Sequence, residues 1–150
     1  MIRIKAKEWL WVFVFAVIVM ALTCVPYALG GLRSNDAWRF SGFVIGVEDG
    51  NSYLAKMQLG AHGQWLFQLP YAIEEHPRSF LFAFYILLGK LIGWIVGTGD
   101  PLRLHSALVF GYHVVRVFWG FVLLFVSYRF LAELLPQVRQ RRLGLMLVGL

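Results

Sequence analysis

Charge is scarce in this sequence. Asp, Glu, Lys and Arg supply 15% of the 150 residues, where an ordinary soluble domain carries about 25%. Carboxylates are the scarcer sign, eight against fourteen Lys and Arg. The remainder is 59% hydrophobic and 17% aromatic, more apolar side chain than a water-soluble core of this size can hide. A disordered chain, a collagen-like chain and an ordinary cytosolic enzyme are excluded on composition, and an integral membrane protein is indicated. Cysteine is nearly missing as well. Cys24 stands alone, which rules out an intrachain disulfide, and its place in an apolar run predicts a buried, inert thiol. Compact chemical signatures are also lacking. There is no HExxH or CxxC, and the four histidines are scattered, so no cofactor is predicted and any need for a divalent metal is left open. Neither a GxSxG nor a glycine-rich phosphate loop after a strand is present.

What the chain does have is long apolar runs. No charged residue falls between positions 9 and 32, and about 20 residues suffice to cross a hydrocarbon core. The stretch 9–29 is read as a transmembrane helix. A cleaved signal peptide is the rival, but its apolar region is usually about 7–15 residues long. Residues 106–128 give a second span interrupted only by Arg116. Residues 79–97 are ambiguous: eleven Leu, Ile, Phe and Val are offset by Lys90, and insertion is marginal. Periodicity predicts a short amphipathic helix over 48–60. A new apolar run begins at 143, so the chain reads as the N-terminal piece of a longer protein whose remaining helices would complete it.

Placement of charge predicts the topology. The net +6 sits mainly in residues 1–8 and 129–142, with Arg116 between them, while residues 31–104 carry six charges of each sign. Lys and Arg close to spans favour the cytoplasmic side. Both basic clusters are therefore expected inside, at the inner (plasma) membrane, rather than on nucleic acid. The resulting expectation is an all-α, multi-pass protein. Residues 1–8 are cytoplasmic, 9–29 span, 30–105 form an outer loop with surface helices near 48–60 and 79–97, 106–128 span back, 129–142 are cytoplasmic, and 143–150 start a further helix. In this scheme 79–97 lies in the interface or dips in and returns, with Lys90 snorkelling to the headgroups. Three full spans, with the Arg cluster outside, is the alternative.

The outer loop holds most of the carboxylates. Glu48 and Asp49 precede the amphipathic helix, where a helix dipole stabilises anions. They read either as a helix cap, with Asp49 at the N-cap, or as a general base. Glu74 and Glu75 read as a solvated boundary or as carboxylates facing the same cavity, and Asp36 is a weaker candidate. Gly89, Gly93 and Gly97 form a GxxxGxxxG stripe suited to close helix packing. Arg116, in mid-span beside Tyr112 and His113, is expected to face a partner helix or a ligand rather than lipid.

The run VEDGNSYLAKMQLGAHGQWLFQLPY, followed by EEHPRSFLFAFYILLGKL and LRLHSALVFGYHVVRVFWGFVLLFVSYRFL, resembles the N-terminal region of GT-C-type glycosyltransferases. These are multi-spanning enzymes that use polyprenyl-phosphate-linked sugars, and the likeness extends over about residues 9–150. In that family a catalytic acidic residue follows the first span, often with a Tyr after it. Glu48-Asp49 with Tyr53 matches that position, although the acidic pair stands before Gly50 and leaves the base open between Glu48 and Asp49. The resemblance implies a sugar transferred on the outer face from a polyprenyl-phosphate donor, with a loop carboxylate as base. Lys56, Arg78 and Arg103 are the candidates for holding the leaving phosphate, and Tyr53, Glu74, Glu75 and Arg116 for lining the substrate site. Two other classes fit the sequence. One is a transporter or flippase with His113 and Arg116 along its path. The other is a non-catalytic subunit that packs on a partner through the glycine stripe.

Overall fold

A computed structural model describes residues 4–35, 37–69 and 77–149. Among these the regular elements are five helices: α1 (Ala6–Leu32), α2 (Val47–Ala61), α3 (Ala83–Val96), α4 (Pro101–Leu134) and α5 (Val138–Gly149). The only ladder pairing among the described residues is an isolated bridge between Phe67 and Ser79.

Two helices are long and apolar enough to cross a membrane, α1 with 27 residues and α4 with 34. At 1.5 Å per residue these measure about 40 and 50 Å, against a hydrocarbon core of about 30 Å. In their most apolar 18-residue stretches only 17% and 6% of residues are buried, so neither is the enclosed core helix of a soluble domain. α3 has 14 residues, about 21 Å, and falls short of a crossing.

The chain forms two compact units, one from Met1–Arg33 with Val115–Leu150 and the other from Ser34–Val114. In the first, α1 and the latter part of α4 run antiparallel. Contacts descend in register: Trp9 stacks on Phe125 and Phe13 lies against Phe121, while Gly120 leaves room for Met20. Val12, Ala16, Val19, Leu124, Tyr128 and Leu145 are the buried centre. A buried polar knot closes one end. Glu8 Oε2 accepts from the Tyr128 hydroxyl at 2.9 Å and from Arg141 Nη1 at 3.1 Å. Its Oε1 accepts the Lys5 backbone N–H at 3.2 Å. The same Arg141 donates to the carbonyls of Leu135 and Pro136, which lie just past α4. One arginine thus ties the starts of α1 and α5 to the end of α4, with its charge matched and its donors placed.

In the second unit α2 and α3 pack closely side by side and run in the same direction, with Tyr53 beside Tyr85, Met57 beside Gly89 and Ala61 beside Gly93. A Cβ on Gly60 would strike the Ile86 carbonyl, one on Gly89 the Met57 carbonyl, and one on Gly93 the Ala61 backbone. Only glycine permits this approach. Phe43, Leu54, Met57, Ile92, Leu104 and Leu108 form the core that joins α2 and α3 to the first part of α4.

Several sequence expectations change in detail. Asp49 is not the N-cap of α2: that place is taken by Gly46 at φ 62°, and Glu48 and Asp49 fall inside the first turn. Residues 129–142, expected on the cytoplasmic side, are mostly helical, because α4 runs on to Leu134 and α5 takes up Arg139, Arg141 and Arg142. α4 also begins earlier than 106, capped by Asp100, whose Oδ1 accepts the N–H groups of Leu102 and Arg103 at 2.9 and 3.2 Å. Gly97 does not extend the glycine stripe. It caps α3 at φ 80°. Lys90 does not reach away from the protein but donates to the Gly63 carbonyl at 3.0 Å, over the Trp65 ring. Cys24 is half-buried rather than buried.

Candidate functional site

The Ser34–Val114 unit holds the candidate site. Its first part is a cleft of about 670 Å³ lined by Ser34, Arg39, Phe40, Ser41, Leu102, Arg103, His105 and Ser106. One wall is the segment after α1, folded back by its own side chains. Asn35 Oδ1 accepts from the backbone of Ala37 and Trp38 at 3.0 and 2.8 Å, and Ser34 Oγ accepts the Phe40 N–H at 3.0 Å. The opposite wall is the first turn of α4, set by the Asp100 cap. Two guanidinium groups, an imidazole and three hydroxyls therefore line one opening, a donor-rich set suited to an anion with several oxygens.

The segment then runs along α4. Gly42, at φ 97°, lies against Val109 where a side chain would collide, and its carbonyl accepts from His113 Nε2 at 2.8 Å. Phe43 is buried edge-on to Tyr112 and lies beneath Gly50 in the first turn of α2. This carries the chain to the second part of the site, the exposed pair Glu48 and Asp49. In the first turn of a helix, their carboxylates sit at the positive end of its dipole.

Lys56, two turns along α2 from Asp49, is 6% exposed. Its Nζ donates to Ser52 Oγ at 2.7 Å and lies 4.1 Å from the centre of the Phe82 ring, with Tyr53 and Phe67 at 5.1 and 5.8 Å. Burial pushes its pKa below the usual lysine value, and the charge of Asp49 offsets part of that effect. Phe82 holds its place at φ 55°, a strained backbone for a non-glycine residue.

The expected site residues therefore separate. Arg103 lines the cleft, and Glu48 and Asp49 stand together on α2. Lys56 lies in an aromatic box, and Tyr53 is stacked between Tyr85 and Tyr112 at 4.6 and 6.0 Å. Neither of these two is presented to the cleft. Arg78 is exposed beside the Phe67–Ser79 bridge. Arg116 belongs to the other unit, where its guanidinium lies over Tyr27 and approaches the Thr23 carbonyl and Cys24 Sγ at 3.5 and 3.4 Å. A partner helix does receive Arg116, but through a carbonyl, a thiol and a ring rather than a carboxylate. Glu74, Glu75 and Asp36 lie outside the described residues. Among the described residues no cluster of His, Cys, Asp and Glu gathers in a way that would hold a metal ion. Sequence reading missed Arg39 and His105. The local signals were the Ser34-Asn35 turn and the Asp100-Pro101 helix start, which bring these side chains to one opening. No protein-family model, curated protein or solved structure matches the chain.

Proposed function

We propose that the chain is the N-terminal region of a polytopic membrane glycosyltransferase of the GT-C type, working at the membrane's outer face with a polyprenyl-phosphate sugar donor. The observation that carries this reading is the cleft lined by Arg39, Arg103 and His105, in the same compact unit as the Glu48-Asp49 turn. The cleft supplies donors for a leaving phosphate, and the turn supplies a carboxylate for an acceptor proton. In this mechanism the carboxylate takes the proton from the acceptor hydroxyl as its oxygen attacks the sugar's anomeric carbon. The bond to phosphate breaks on the opposite side, and the arginines stabilise the charge that develops there. The two apolar helices fit a polytopic chain. The glycine stripe supports this reading over a subunit that packs on a partner through it, because α2 already occupies Gly89 and Gly93.

The test is sugar transfer by the full-length protein in membranes, comparing Glu48→Gln and Asp49→Asn with the parent. One of the two is expected to lose transfer by about a hundredfold or more, within the range for removing a general base. Unchanged transfer in both variants would remove the carboxylate pair from the mechanism.

A further inference from the structure

One end of the unit formed by Met1–Arg33 and Val115–Leu150 carries cations that no carboxylate of the described residues matches. The two acids there are already engaged, Glu8 with Arg141 and Glu133 with Arg129. Arg142 instead lies over the Trp11 indole, 5.0 Å from the ring centre. Its buried Nε meets no acceptor among the described residues. Lys7 precedes Trp11 by four residues on α1, and Arg139 precedes Arg142 by three on α5. At those spacings each pair shares a helix face, and both Lys7 and Arg139 are exposed. The three cations thus gather around one indole, at the end of a helix long enough to cross a bilayer. Tryptophan belongs at that depth, and phosphodiesters are the anions found there.

We infer that Lys7, Arg139 and Arg142, with Trp11 as platform, form a binding site for the headgroup of an anionic phospholipid in the adjoining leaflet. A phosphodiester oxygen pairs with the half-buried Arg142 guanidinium, while the exposed Lys7 and Arg139 add charge. A zwitterionic lipid presents the same phosphate but carries its own cation, so the site selects net negative headgroups. The inference is independent of the glycosyltransferase reading and uses none of its residues.

Native mass spectrometry of the full chain, purified in mild detergent with equal amounts of phosphatidylglycerol and phosphatidylcholine of the same acyl chains, tests it. The parent is expected to retain phosphatidylglycerol preferentially. Lys7→Gln with Arg139→Gln, both changes at exposed positions, is expected to lower that preference by about twenty-five-fold, since each surface cation contributes roughly a fivefold factor. Arg142→Gln is expected to lower it by about fivefold, and the exposed pair decides the matter if this half-buried variant does not fold. Arg39→Gln with Arg103→Gln is expected to leave the preference intact. Equal retention of the two lipids by the parent would overturn the inference. So would an unchanged preference in the folded Lys7/Arg139 variant, or loss of preference in the Arg39/Arg103 variant.

Discussion

Glu8 is a carboxylate at 5% exposure that accepts from a tyrosine, an arginine and a backbone N–H. Deleting it leaves the Arg141 guanidinium buried without its counter-charge, and breaking such a pair costs about 3–5 kcal/mol. Glu8→Ala is accordingly expected to lower the thermal unfolding midpoint of the purified chain sharply. The double variant Glu8→Ala, Arg141→Met is expected to recover much of the loss, because no charge is then left unpaired. Equal damage from the single and double variants would show that the pair is not what holds the three helix ends. Lys56 makes a different statement. Burial holds its pKa below 10.5 in the folded chain, so the unfolded chain binds more protons between the lowered value and 10.5. Its contribution to stability therefore rises with pH across that window. Measured at pH 7 and pH 10, the midpoint of the parent is expected to gain on that of Lys56→Met. A gap that does not change with pH would contradict the burial of the ammonium.

Among the elements, the α2–α3 pair depends on backbone contact. Gly89→Ala drives a methyl into the Met57 carbonyl, and the helices must separate, at a cost of about 1–3 kcal/mol. Gly97→Ala meets open space but must hold φ 80°, a strain of roughly 1–2 kcal/mol. Both are expected to destabilise, but only Gly89→Ala is expected to loosen hydrogen-exchange protection along both α2 and α3. Gly89 and Gly93 were legible as a packing surface because small residues at that spacing admit a neighbouring helix, whereas Gly97, at the same spacing, ends α3 instead. The partner of that surface was not legible, because the facing Gly60 lies in a helix identified only from its amphipathic pattern. The positions of α1 and α4 were legible from long uncharged runs, whereas the start of α4 at Pro101 lay hidden in a polar dipeptide outside the apolar signal. The carboxylate turn could be read from position along the chain. The cleft could not, since Arg39 and Arg103 are brought together by a turn at Asn35 and a cap at Asp100 rather than by sequence spacing.

At the scale of the whole molecule, the antiparallel packing of α1 with the latter part of α4 has a direct consequence. If both cross a bilayer, Lys5 and Gln140 emerge on the same face. Single cysteines at these two exposed positions, in the Cys24→Ser background, are expected to react from the same side of sealed vesicles. Opposite reactivity would require an odd number of crossings between them and would contradict the packing. In the proposed function the Ser34–Val114 unit receives a lipid phosphate in the cleft of Arg39, Arg103 and His105. The direct measurement is equilibrium binding of a polyprenyl monophosphate to the purified full chain, with the corresponding polyprenol as reference. Saturable binding of the phosphate is expected, with weak binding of the alcohol and a loss of about tenfold or more in Arg39→Gln with Arg103→Gln, since hydrogen bonds to charged groups contribute about 1.5–3 kcal/mol each. Equal binding of phosphate and alcohol, or undiminished phosphate binding by the folded variant, would contradict it.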